Sequence, residues 1–104
     1  MAMHPPHTIP PLVIERDTTR RDRVLKALEY AAQHQQLRFQ SIDEPARDGW
    51  VDGYLLCHPG IGGSEGLRRV RELRAADQPI EVRPHPVHGR TTRQYRIRRP
   101  GTLF

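Results

Sequence analysis

Residues 49–98 read GWVDGYLLCHPGIGGSEGLRRVRELRAADQPIEVRPHPVHGRTTRQYRIR, and this stretch decides the fold. Asp52 stands where a helix cap belongs, ahead of a short apolar run from Tyr54 to Cys57 that His58-Pro59 ends. Gly60-Ile61-Gly62-Gly63 is a flexible break. Ser64 then caps a helix predicted to reach about Ala76. Leu67, Val70 and Leu73 face inward on it, while Arg68, Arg69 and Glu72 lie mostly on the other side. Arg71 and Arg74 flank the apolar stripe, where they can pair with acids. Asp77-Gln78-Pro79 stops the helix.

Beyond it, Ile80-Glu81-Val82-Arg83 and Gln94-Tyr95-Arg96-Ile97-Arg98 alternate apolar and polar residues, the pattern of an antiparallel hairpin. With Ile80 opposite Ile97, Val82 falls opposite Tyr95, and all four share one face. Arg83, Gln94, Arg96 and Arg98 take the other. Pro84 and Pro86 bar a tight two-residue turn, so residues 84–92 are expected to form a broad loop.

Upstream, Val24, Leu25, Leu28, Ala31 and Ala32 make one helical stripe between about Thr19 and Gln33, with Thr18 or Asp17 as the cap. Leu37 and Phe39 alternate with Arg38 and Gln40, which suits a short strand. Asp43 to Gly49 reads as a solvated loop. The expected organisation is an arm over residues 1–17, one domain over 18–98 and a tail over 99–104. Trp50, Tyr54 and Tyr95 sit beside apolar runs and are expected in the core, with Trp50 between the first two helices. About 15 large apolar side chains is a thin core for this length, and self-association is one way to add burial.

The 104 residues carry a formal charge of +5. It is unevenly spread: residues 1–60 hold 7 Lys/Arg against 8 Asp/Glu, and residues 61–104 hold 10 against 4. The positive excess therefore sits on the third helix and the hairpin, which suits a polyanion. Sixteen of the basic residues are Arg, whose guanidinium forks onto phosphate and guanine better than an ammonium does. Cys57 is the only cysteine, so no intrachain disulfide forms, and a reducing cytoplasm is the expected compartment. No apolar run approaches the roughly 20 residues of a membrane-spanning helix, and no membrane partner is expected.

The segments Trp50-Val51-Asp52-Gly53-Tyr54, Gly62 to Arg74, Ile80 to Arg83 and Tyr95-Arg96-Ile97 resemble the winged helix-turn-helix superfamily. They are similar to small winged-helix proteins of GC-rich bacteria and their phages. The resemblance implies an α+β fold of three helices plus a C-terminal hairpin wing, and DNA binding as the commonest activity. Helix three would enter the major groove, with the wing on the backbone. On that placement Ser64, Arg68, Arg69 and Glu72 of the helix and Arg90 and Arg93 of the wing are the candidate DNA-contacting residues. Gln78-Pro79 stands where such domains usually carry a glycine.

Other chemistries are poorly served. The glycines before Ser64 lack the Lys-Ser/Thr pair of a nucleotide loop. His4 with His7, and His85 with His88, have no neighbouring Cys ligands, so no metal or other cofactor is expected. No Ser/His/Asp or Cys/His constellation supports an enzyme. The leading expectation is a non-enzymatic double-stranded DNA-binding protein, a phage or bacterial regulator. The alternatives are an interaction module of the same fold that self-assembles or binds a host protein, and a virion component. The acidic stretch from Asp43 to Asp48 and the thin core favour those alternatives; the charge split favours DNA.

Overall fold

Thr19 starts the first helix: its side-chain oxygen accepts the amide of Asp22 at 3.1 Å, one of the donors a helix N-terminus leaves unpaired. The cap is therefore Thr19, not Thr18 or Asp17. Thr18 instead accepts from Arg23 Nε and donates to the Glu15 carbonyl. Helix α1 spans Arg20–His34 and ends where Gln35 turns left-handed and its amide caps Ala31. In this computed structural model, residues 9–98 are described, apart from the side chains of Arg90 and Thr91. Residues 1–8 of the expected arm and all of the expected tail, 99–104, lie outside the described residues.

After α1 come strands β1 (Gln36–Phe39) and β2 (Ile42–Pro45), paired as a hairpin with Phe39 opposite Ile42. The strand read from Leu37 and Phe39 is present. Asp43 to Pro45, expected as loop, is strand as well. Only Ile42 of β2 is buried, so the segment has backbone pairing without the apolar alternation that would reveal it. Strand β3 (Val51–Asp52) follows, then a single helical turn, α2 (Gly53–Leu56). Helix α3 is Gly66–Ala75, and β4 (Ile80–His85) and β5 (Gly89–Ile97) close the fold. The architecture is α+β: three helices and two small antiparallel sheets among the described residues, the larger sheet ordered β3-β5-β4.

The register of the larger sheet is as the alternation predicts, Ile80 opposite Ile97 and Val82 opposite Tyr95. Ile80, Tyr95, Ile97 and Val51 are buried on the face that meets the helices. Val24, Leu28, Leu37, Leu56, Ile61 and Val70 complete the interior. Ile9, Leu12 and Ile14, from the segment read as an arm, pack against this core. The Leu12 amide donates to the Arg38 carbonyl at 2.8 Å, and the Tyr30 hydroxyl donates to the Pro10 carbonyl at 2.7 Å. Burial holds that hydroxyl above the usual tyrosine pKa, against the pull of Arg38.

Several local expectations are corrected. Val51 faces the core, so alternation of the extended backbone turns Trp50 to the outer face of the sheet rather than between α1 and α2. There the guanidinium carbons of Arg83 and Arg96 lie 4.2 and 4.6 Å from its ring centre. Tyr54 is 63% exposed rather than buried, and Leu67 is 37% exposed. Asp52 occupies the cap position of α2, but its carboxylate accepts from Gln94 Nε2 at 2.9 Å instead of capping.

The expected broad loop is a three-residue turn, 86–88. Pro84 lies within β4, opposite Arg93, where an edge strand tolerates a missing amide. His85 Nδ1 accepts the amides of Val87 and His88 at 3.0 and 3.1 Å, so this histidine closes the turn.

Ser64 does not cap α3. It lies exposed in a 3-10 turn, Gly63–Glu65, and the amide of Gly66 is satisfied by the Gly63 carbonyl. The helix starts two residues later because α3 runs hard against α2. A side-chain carbon on Gly66 would lie 2.4 Å from the Leu56 carbonyl oxygen, and one on Gly62 would lie 2.5 Å from the same atom. Gly66→Ala tests this contact. At an open helical site the change gains about 0.5–1 kcal/mol. Here the expected result is a loss of about 1–3 kcal/mol, read from the urea midpoint; a raised midpoint contradicts the close approach.

Candidate functional site

Helix α3 has three kinds of face, and its arginines divide among them. Arg68 is exposed and lies 4.0 Å from Glu65 and 3.9 Å from Glu72. Arg69 is half-buried, turned towards the start of α1, and donates to both oxygens of Glu72 at 2.8 Å. Glu72 therefore serves two arginines, and Glu65, Arg68, Arg69 and Glu72 together carry no net charge. This face was the sequence's first choice, and it neutralises itself. Ser64 lies just ahead of it, exposed.

The remaining face points at the β4–β5 hairpin. Leu67, Arg71 and Arg74 follow at i, i+4 and i+7, so they share one side of the helix. With Arg93 from β5 they border an open groove of about 660 Å³. Its floor is Val70, Val82, Tyr95 and Leu67, and Gly53, Tyr54 and Cys57 of the α2 region close one end. No carboxylate lines it. None of Arg71, Arg74 and Arg93 forms a side-chain hydrogen bond or ion pair with another described residue. Arg93 was read from the sequence as a wing residue and is present in the groove. Arg90 precedes it on β5, and its side chain lies outside the described residues.

Sequence reasoning gave Arg71 and Arg74 the role of flanking residues able to pair with acids. Among the described residues they have no acidic partner; Glu65 and Glu72 lie with Arg68 and Arg69. Asp77 falls beyond the end of α3, at a left-handed residue. The signal was available in the helical spacing from Leu67, read together with the inward parity of Val82 and Tyr95.

The outer face of the sheet is different again. Arg96 Nε donates to Glu81 at 2.6 Å and Arg98 reaches the same carboxylate at 3.2 Å. Arg83 Nε donates to Gln94, which donates on to Asp52, with His85 Nε2 3.7 Å from that carboxylate. Those basic residues are committed to one another's partners and to Trp50. Among the described residues there is no group of three or more His, Cys, Asp or Glu placed to hold a metal ion, and no helix is long and apolar enough to cross a membrane. The chain matches no protein-family model, no curated protein and no solved structure.

Because the Glu72 pairs are partly solvated, removing them should cost little. Glu72→Ala is expected to change stability by about 1 kcal/mol or less, with an unchanged denaturant slope. A loss of several kcal/mol would make Glu72 a structural anchor rather than a charge partner on an open face.

Proposed function

We propose that the protein is a winged helix-turn-helix and binds double-stranded DNA through the hairpin-facing side of α3. The order helix, strand, helix, helix, strand, strand, with β3 and β4 flanking β5, supports that fold. The β1–β2 hairpin is an insertion in it, and α2 is reduced to one turn. The observation that carries the function is the groove of Arg71, Arg74 and Arg93, three guanidiniums with no partner among the described residues and no acid in the lining. Each fits phosphate or a guanine edge, and a ten-residue helix, about 15 Å long, suits the major groove. Arg90, three residues before Arg93 on β5, belongs to the same wing.

No step of covalent chemistry enters this reading; binding and positioning are the activity. DNA association would relieve the mutual repulsion of the three arginines and release counterions from the duplex.

Fluorescence anisotropy with a labelled random duplex tests it. Affinity should fall with salt along a log–log slope of roughly −3 for three phosphate contacts. Arg71→Ala, Arg74→Ala and Arg93→Ala should each lower that slope by about 1, while stability stays within about 0.5 kcal/mol of wild type. Arg68→Ala should do less, since Arg68 is already paired. A flat salt response contradicts DNA as the partner. An Arg68 variant as weak as the Arg71 variant would return the reading face to Arg68, Arg69 and Glu72. A discrete oligomer that ignores DNA would support the interaction-module reading instead.

A further inference from the structure

The groove has a feature that phosphate contacts leave unexplained: its exposed apolar side chains. Tyr54, Leu67 and Val82 are 63, 37 and 37% exposed, and all three line this one groove. A surface built only to hold phosphates needs guanidiniums on a polar floor. Here the guanidiniums of Arg71, Arg74 and Arg93 surround an apolar one.

The placement of Leu67 and Tyr54 is specific. Leu67 is the second residue of α3, on the N-terminal turn, the part of a reading helix that meets base edges. It leans on Gly53, where an added side-chain carbon would come within 3.2 Å of Leu67 Cδ2. Tyr54 is the next residue along α2 and borders the same end of the groove. The two side chains thus form an apolar end to a basic groove, one helical turn before Arg71. In the major groove, bases show hydrogen-bonding edges and one apolar projection, the C5-methyl group of thymine.

We infer that Tyr54 and Leu67 receive thymine C5-methyl groups when the basic groove engages DNA. The inference rests on the DNA-binding reading and names what that face selects. Charge complementarity supplies the occupant: three arginines with no acidic partner among the described residues call a polyanion, and the methyl is what a duplex can offer an apolar floor. Arg71 and Arg74 bind beside it, on phosphate or on a guanine edge.

The test compares two pools of the same randomised duplex, one made with thymine and one with uracil, which lacks only that methyl. Burying a methyl contributes about 0.8 kcal/mol, or about fourfold in affinity. Wild-type protein should bind the thymine pool about fourfold more tightly for each methyl received. Leu67→Ala and Tyr54→Ala should each reduce the thymine preference by about the fourfold that one methyl contributes, and the double variant should bind the two pools alike. Tyr54 is the more exposed of the two, so its variant keeps the comparison valid if the Leu67 variant unfolds. Equal wild-type affinity for both pools overturns the inference and leaves DNA binding standing. So does a thymine preference that the Tyr54 variant and a folded Leu67 variant retain in full. Binding to neither pool at low salt rejects the DNA reading, and this inference with it.

Discussion

The carbonyl oxygen of Leu56 is the point around which the helices are set. The Gly62 amide donates to it at 3.0 Å, and the Cα atoms of Gly62 and Gly66 both approach it too closely for a side chain. Arg20 of α1 holds the intervening loop through the carbonyls of Pro59 and Ile61. Two glycines and one arginine therefore fix where α3 starts and which way it is rotated. That rotation sends Val70 and Leu73 into the core and turns Leu67, Arg71 and Arg74 towards β5. A bulkier residue at either glycine would lift α3 off α2 and close or skew the groove.

Charge is partitioned by the same rotation. Glu72 pairs with Arg68 and Arg69 on one side of α3. Glu81 and Asp52 organise the arginines of the outer sheet face, with Trp50 beneath two of them. Of the arginines of α3 and the β4–β5 hairpin whose side chains are described, those without a partner among the described residues, Arg71, Arg74 and Arg93, border one groove between α3 and β5. Exposed like charges cost the folded state little, because salt screens them beyond about 8–10 Å. They nevertheless create a local field that a polyanion would cancel. Three of the ten basic residues of 61–104 thus border one groove.

Much of the scaffold was legible in the sequence wherever burial imposes a period. The stripe from Val24 to Ala32 gave α1 to within a residue at each end. The alternations about Val82 and Tyr95 gave the hairpin register, since a slip of one residue would expose the apolar set. Features without a period were missed. Strand β2 has one buried residue, so Asp43 to Pro45 read as loop. Trp50 is apolar in type but one step out of phase with Val51, and a cationic cover was not visible from its neighbours in sequence. Ser64 has the chemistry of a cap, yet the close approach at Gly66 starts the helix after it. For the site, the choice of Arg68 and Arg69 followed from their place on the outer face of α3. Glu65 and Glu72, which the same spacing puts within reach of that pair, do lie beside it, and Arg71 and Arg74 turn to the hairpin instead.

On the proposed reading, one particular face of α3 meets DNA. The most direct measurement is a ¹H–¹⁵N NMR titration of the protein with a short duplex, following backbone amides and arginine Nε signals. The account predicts that the largest shifts fall on Leu67, Arg71, Arg74, Thr92 and Arg93, with Tyr54 beside them, and that Trp50 and Arg98 stay still. Shifts centred on Arg68, Arg69 and Glu72, or on the outer sheet face around Trp50, would contradict it.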